Sequence, residues 1–185
     1  MDLLVKPMKL TTLRGGTDDR DRLLAEWLPA VVRWCSHLGG PGVDGEDAAH
    51  DVLIIALRRI DHLYDEAHTA AWLFGITRRV LAQHRRRAWV RRWVPGLTID
   101  TPDPARGPAS LVAMNETSER VRAVLDQLPL AERQVLLLCL VEERSDREVA
   151  EMLDIPHGTV KSRMRRARAR FLEVAARAGL VGEDA

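Results

Sequence analysis

Three stretches of this chain sort their charge by sign, and each sets up one kind of chemistry. Residues 77–93 carry Arg78, Arg79, Arg85, Arg86, Arg87, Arg91 and Arg92 without a single acid. Residues 158–170 carry Lys161, Arg163, Arg165, Arg166, Arg168 and Arg170, again without one. Residues 44–51 do the reverse, with Asp44, Glu46, Asp47 and Asp51 and no Lys or Arg. A net charge of +1 hides this sorting. Two acid-free basic blocks suit a polyanion, and the acidic block suits a positively charged protein partner. Trp89 and Trp93 interleave with the first block, where rings can stack on bases.

The chemistry of enzymes is harder to place. No Ser/His/Asp set, phosphate-binding glycine loop or CxxC pair is apparent, and the acidic block is sufficient as a protein contact without holding a metal. Cys35 and Cys139 lie far apart in apolar surroundings and read as buried thiols; Cys35 and His37 alone are too little for zinc. The expectation is a protein with no enzymatic activity, no metal and no cofactor. Apolar runs such as residues 135–141 are too short to cross a bilayer, and residues 1–14 lack the apolar block of a signal peptide. A cytoplasmic protein without membrane insertion follows as the expectation.

These surfaces need elements to hold them, and helical periodicity supplies them throughout. Leu23, Leu24, Trp27, Val31, Trp34, Cys35 and Leu38 recur mostly at steps of three and four, which predicts an amphipathic helix over 18–38. Pro29 inside it predicts a kink or a break. Asp44 is placed to cap a second helix, with Val52, Ile55, Ala56 and Leu57 on or near its buried side. A third helix is expected over 69–90, with Trp72, Leu73, Ile76, Val80 and Leu81 inward and most arginines outward. Then Pro95, Gly96, Pro102, Pro104, Gly107 and Pro108 exclude a helix and predict a flexible linker. Helices resume near Asn115, first with Val121, Val124, Leu125 and Leu128, then over 130–141 behind Pro129.

Residues 145–171 carry the sharpest local signal. Ser145 with Glu148 three positions later has the spacing of a capping box. Val149, Ala150, Met152 and Leu153 form one short apolar face, interrupted at Asp154-Ile155-Pro156-His157. Asp154 takes a turn position where glycine is common, and Asp tolerates the left-handed conformation better than most residues. A second helix is expected from Thr159, with Val160, Met164, Ala167 and Phe171 inward. Two short helices joined by a tight turn place a recognition helix in the major groove. Its outward residues, Thr159, Lys161, Ser162, Arg163, Arg165 and Arg166, are the candidates for phosphate and base-edge contacts; a bidentate Arg–guanine pair contributes roughly 1–3 kcal/mol of discrimination.

The residues now carry a resemblance. Leu125-Asp-Gln-Leu-Pro129, Glu132-Arg-Gln-Val135, Glu148-Val-Ala-Glu151 and Gly158-Thr-Val-Lys-Ser-Arg163 together resemble the minus-thirty-five-binding domain of extracytoplasmic-function sigma factors. Asp44-Gly-Glu-Asp47-Ala-Ala-His-Asp51-Val52 is similar to their polymerase-binding segment, and Ala71-Trp72-Leu73-Phe74-Gly-Ile76 with Arg78-Arg79 to the segment that holds the minus-ten element. Five positions depart from the pattern: His50-Asp51 stands for Gln-Glu, Leu53 for Phe, Arg79 for an Asn, and Asp146 for an aromatic at the start of the motif's first helix.

The resemblance implies a fold and a division of labour. The fold is all-α, two small helical domains joined by a flexible linker, the C-terminal one a helix-turn-helix. Residues 15–93 would bind the polymerase clamp and the minus-ten element, residues 94–114 would link, and residues 115–178 would read the minus-thirty-five element. Asp47, His50 and Asp51 would meet core RNA polymerase. Tyr64, Arg78, Arg79, Gln83, Arg85 and Arg86 would hold promoter DNA at the minus-ten element, with the base pocket in the loop 61–68. An anti-sigma factor is the expected further partner. A helix-turn-helix regulator that is not a sigma subunit is the alternative, and it predicts a sensing pocket or phosphoacceptor in the N-terminal lobe, where no such constellation appears.

Overall fold

A computed structural model describes residues 17–63, 68–93 and 116–180, which form seven α-helices and no strand. In the N-terminal lobe these are α1 (Thr17–Leu38), α2 (Gly45–Arg59), a 3-10 turn at Ile60–His62, and α3 (Thr69–Trp93). The C-terminal lobe holds α4 (Glu116–Asp126), α5 (Leu130–Leu136), α6 (Asp146–Leu153) and α7 (His157–Arg177). A π-helical turn, Leu137–Val141, extends α5. Residues 94–114, the expected linker, lie outside the described residues, as does Tyr64.

Pro29 neither ends nor splits α1, which runs unbroken for 22 residues. The physical reason is position. Pro29 and Ala25, whose carbonyl loses its usual i+4 partner, both lie on the exposed side, where water can satisfy that oxygen. The opposite side buries Leu23, Leu24, Val31, Trp34, Cys35 and Leu38, and that burial outweighs one missing hydrogen bond. Trp34 meets Phe74 of α3 edge-on, with ring centroids 5.1 Å apart at 81°, the geometry aromatic quadrupoles favour.

Helix α2 lies close against α1 because its contact face is small. Ala48, Ala49 and Ala56 are buried there with Val52. At its start a Cβ on Gly45 would fall 3.0 Å from the Ser36 Cα, so any larger residue would push α1 and α2 apart at this crossing. Asp44 caps the helix as expected: Oδ1 accepts from the Glu46 and Asp47 amides at 2.8 and 3.0 Å. Leu57, expected near the buried side, is instead 48% exposed.

The C-terminal lobe closes around α7. Val124, Leu128, Leu136, Ala167, Val174 and Ala175 make one buried cluster behind it. Val135, Leu138, Val149, Leu153, Val160 and Met164 form the other side of the core, and this side is continuous with the N-terminal lobe's own core. The two lobes therefore pack on each other, α3 against α6 and α1 against α4 and α5.

Candidate nucleic-acid interface

The helix-turn-helix is assembled from local signals that all agree. Ser145 Oγ accepts from the Glu148 amide, and the Glu148 carboxylate accepts from the Ser145 amide at 2.8 Å, a complete capping box. Those bonds hold the Glu148 carboxyl below its ordinary pKa, with the Ser145 side chain as the largest cause. At the other end Asp154 adopts φ 53°, ψ 55°, the left-handed turn that ends α6. Pro156 then starts α7 with a fixed φ of −58°. Recognition-helix formation begins at His157, two residues earlier than the pattern suggested, because the Thr159 and Val160 amides already bond back to the Pro156 carbonyl.

On α7 the six candidates divide by exposure. Lys161, Arg165 and Arg166 are exposed; Thr159, Ser162 and Arg163 are half-buried. Ser162 Oγ donates to the Thr159 carbonyl at 3.0 Å. Val160, Met164 and Ala167 anchor the opposite face. Arg170, further along, pairs with the nearly buried Glu132 at 2.8 Å and so orients α7 on α5. One helix thus carries cations outward and apolar groups inward, the arrangement a groove-reading helix needs.

The second basic surface lies on α3. Arg78, Arg79, Gln83 and Arg86 are exposed there, while Leu73, Phe74, Ile76, Val80 and Leu81 are buried. Arg85 differs from its neighbours: it is half-buried and its guanidinium donates to the Leu38 carbonyl at 2.8 Å. Burial first, then the charge of Arg133, lowers its pKa. Arg78 reaches the Leu153 carbonyl at the end of α6 at 3.4 Å. Thr77, a polar residue inside the buried face, satisfies itself by donating to the Leu73 carbonyl at 2.9 Å.

The acidic surface lies on the first half of α2. Asp47 and His50 are exposed, and Asp51 is partly so. Asp51 Oδ2 accepts from His84 Nε2 of α3 at 2.9 Å, and Asp47 lies 3.8 Å from the other ring nitrogen. His84 itself is 7% exposed. A lone His within an Arg-rich run gives no signal of this in sequence; only the packing of α2 on α3 pairs them. Sequence reasoning also missed the bond between lobes, in which Arg33 of α1 grips Glu142 beyond the π turn.

The remaining titratable groups offer little reactive chemistry. Burial pushes the Cys35 thiol up to about 12, and burial with nearby Asp146 pushes Cys139 up to about 11. Neither is a nucleophile near neutral pH. Among the described residues no group of three or more His, Cys, Asp or Glu converges as metal ligands. Among the same residues no helix is long and apolar enough to cross a membrane.

A helical lobe with an acid-free basic helix, joined to a capped helix-turn-helix, defines a two-lobed DNA-binding transcription protein. Comparison with known proteins narrows this. Residues 23–91 match Sigma-70 region 2, and residues 118–171 match Sigma-70, region 4. The chain is 30% identical over 152 residues to ECF RNA polymerase sigma factor EcfG of Rhodopseudomonas palustris, covering 82% of each. It is 25% identical over 177 residues to ECF RNA polymerase sigma factor SigW of Bacillus subtilis, covering 91% of this chain and 95% of that one. The sigma factor RpoE of Bartonella quintana, solved in complex with the anti-sigma factor NepR, superposes with a TM-score of 0.67 at 26% identity, over 86% of this chain and 98% of that one. CnrH, solved with the cytosolic domain of CnrY, shares the fold at a TM-score of 0.63 and 23% identity, over 88% of this chain and 90% of that one.

The chain belongs to the extracytoplasmic-function (ECF) RNA polymerase sigma factors, alternative sigma factors that direct transcription initiation by promoter recognition.

Proposed function

We propose that residues 15–93 act as the lobe that binds the polymerase clamp and the melted minus-ten strand, residues 94–114 as the linker, and residues 115–178 as the lobe that reads the minus-thirty-five duplex. The observation that carries this is the separation of signs in space. Exposed Asp47 and partly exposed Asp51 lie in the first half of α2, which carries its cations Arg58 and Arg59 only in the last turn, while the acid-free runs of exposed cations lie on α3 and α7. An acidic helix offers a basic partner orientation and a fast encounter, and the two basic helices offer DNA phosphate neutralisation. Asp47, His50 and Asp51 meet polymerase. Arg78, Arg79, Gln83, Arg85 and Arg86, with Tyr64 at the base pocket, hold the minus-ten strand. Thr159, Lys161, Ser162, Arg163, Arg165 and Arg166 face the minus-thirty-five element.

The lobes must separate to do this. The two elements are centred about 25 base pairs apart, roughly 85 Å of duplex at ~3.4 Å per pair. In the packed form Arg78 instead touches the carbonyl of Leu153 on the helix-turn-helix. Residues 94–114 can span about 70 Å when extended, at ~3.3–3.6 Å per residue, which supports the required reach. In the packed form, burial and the nearby charge of Arg133 hold the Arg85 guanidinium in an unfavourable setting, which favours release.

The protein works in the cytoplasm, has no catalytic role of its own, and leaves the chemistry to polymerase. The Bartonella relative is held by an anti-sigma factor, and a protein of that kind controls this chain too. The test is abortive initiation with core RNA polymerase on a pool of native promoter fragments. Discrete start sites that depend on the protein support the reading. Specific duplex binding without any polymerase binding would move the protein to the regulator class.

A further inference from the structure

The exposed face of α3 does not stop at its arginines. Positions 78, 82, 86, 89 and 93 advance by four, four, three and four residues, which keeps them in one line along a helix of 3.6 residues per turn. Arg78, Ala82, Arg86, Trp89 and Trp93 are all exposed, and they lie opposite the buried Ile76, Val80, Leu81 and His84. The line is about 22 Å long at ~1.5 Å per residue. Trp89 is 63% and Trp93 66% exposed, the two most exposed large hydrophobic side chains among the described residues.

Two indole rings left in water are unfavourable unless something covers them. The occupant is constrained by charge. Arg86, Arg87, Arg91 and Arg92 surround the rings with no acid on the helix, so a basic protein surface is repelled and an anion is attracted. It is constrained by shape as well. Rings at i and i+4 have Cβ atoms about 5–6 Å apart, room for neighbouring planar groups. A duplex hides the faces of its bases, whereas a single strand presents them.

We propose that Trp89 and Trp93 form a stacking platform for single-stranded DNA, extending the strand-holding surface of α3 beyond Arg86 to the end of the helix. This inference rests on the reading of α3 as the minus-ten helix and adds a site to it. The strand runs along the line from Arg78 to Trp93, a length of about 22 Å at ~1.5 Å per helical residue. The arginines take the phosphates and the rings take unpaired bases. The contact forms after melting and favours the open strand over the duplex.

The test compares wild type, W89A/W93A and W89F/W93F, each as the full chain and as holoenzyme assembled with host core polymerase. The probes are a labelled oligodeoxynucleotide and its duplex. The Ala pair is expected to bind the single strand at least about tenfold more weakly, given the ordinary strength of base–aromatic stacking. The Phe pair should stay within about threefold of wild type, and duplex affinity should change less than twofold for both. Equal loss on strand and duplex, or loss of polymerase affinity alone, or no loss in a variant whose helical circular dichroism is intact, would each overturn the proposal. Abortive initiation by wild type, read alongside, separates this outcome from failure of the sigma reading. Initiation with unchanged strand affinity in the Ala pair refutes the platform only.

Discussion

The guanidinium of Arg33 donates to both oxygens of Glu142, at 2.8 and 3.0 Å, across 109 positions of sequence. This fork joins α1 to the segment just before the helix-turn-helix, and Glu142 is 9% exposed while Arg33 is 38% exposed. Bidentate geometry makes it a strong contact of its kind, and Arg33's partial exposure limits its worth to about 1–2 kcal/mol. Arg33→Ala leaves a nearly buried carboxylate without its partner. Energy transfer between dyes on α2 and α7 should fall as the packed form loses population. Transfer unchanged in R33A would mean that apolar packing alone holds the lobes, and R33E/E142R should restore it.

Packing of the lobes should also weaken with acid. Burial first, then the charges of Arg122 and Arg33, lowers the pKa of His37, against smaller opposing effects of Glu142 and Asp126. The folded protein therefore favours neutral His37, while the unfolded chain takes up a proton below the ordinary value of 6.5. The sign follows: this contribution to stability is present above about pH 6.5 and is lost as pH falls below it. Thermal melts between pH 7.5 and 5.5 should show a smaller loss of Tm in His37→Gln than in wild type. An identical slope in both would assign the pH dependence to other groups.

Ser145→Ala should destabilise the C-terminal lobe by about 1 kcal/mol, the ordinary worth of an N-cap. The capping box is intact and exposed, so water partly satisfies the freed amide and keeps the loss to that of an ordinary cap. Because Glu148 is held below its ordinary value, the cap is fully formed above the usual carboxylate range and is lost as pH falls through the lowered value. Guanidinium titrations of wild type and S145A should therefore differ at pH 7 and converge in strong acid. A constant difference would show that the Glu148 charge contributes nothing.

The exposed cations of α7 predict a salt signature. Lys161→Ala, Arg165→Ala and Arg166→Ala should each flatten the slope of log affinity against log salt by about 0.9 for every phosphate contact removed. Fluorescence anisotropy with a minus-thirty-five duplex at several salt concentrations measures this. Arg170→Ala, by contrast, breaks the bond to Glu132 and should lower stability before it alters the slope.

Asp47 predicts a kinetic effect. Its side chain is 69% exposed and contributes charge to the α2 surface. Asp47→Asn should slow association with core polymerase about two- to tenfold at low salt, with a smaller effect at high salt and little change in melting temperature. Surface plasmon resonance at two ionic strengths would reveal it; a change confined to dissociation would place Asp47 in a tight contact instead.

What the sequence by itself determined was everything encoded within a turn or two of helix. Asp44 and Ser145 are caps because their side chains reach amides two or three residues away. Asp154 ends α6 because one residue's φ is a local property, and the apolar spacing of α7 picks its buried side without help from other elements. The charge blocks, likewise, are contiguous in the chain. Tertiary structure decided the rest, because long-range pairing depends on how whole faces pack. Pro29 proved tolerable only because its side of α1 faces water. Arg85 lies beside exposed arginines in sequence, yet the approach of α1 gives its guanidinium the Leu38 carbonyl. His84 finds Asp51 only where α3 crosses α2, and Arg33 finds Glu142 only because the two lobes share a continuous core. No spacing rule reaches across 109 residues; the burial of apolar surface between the lobes does.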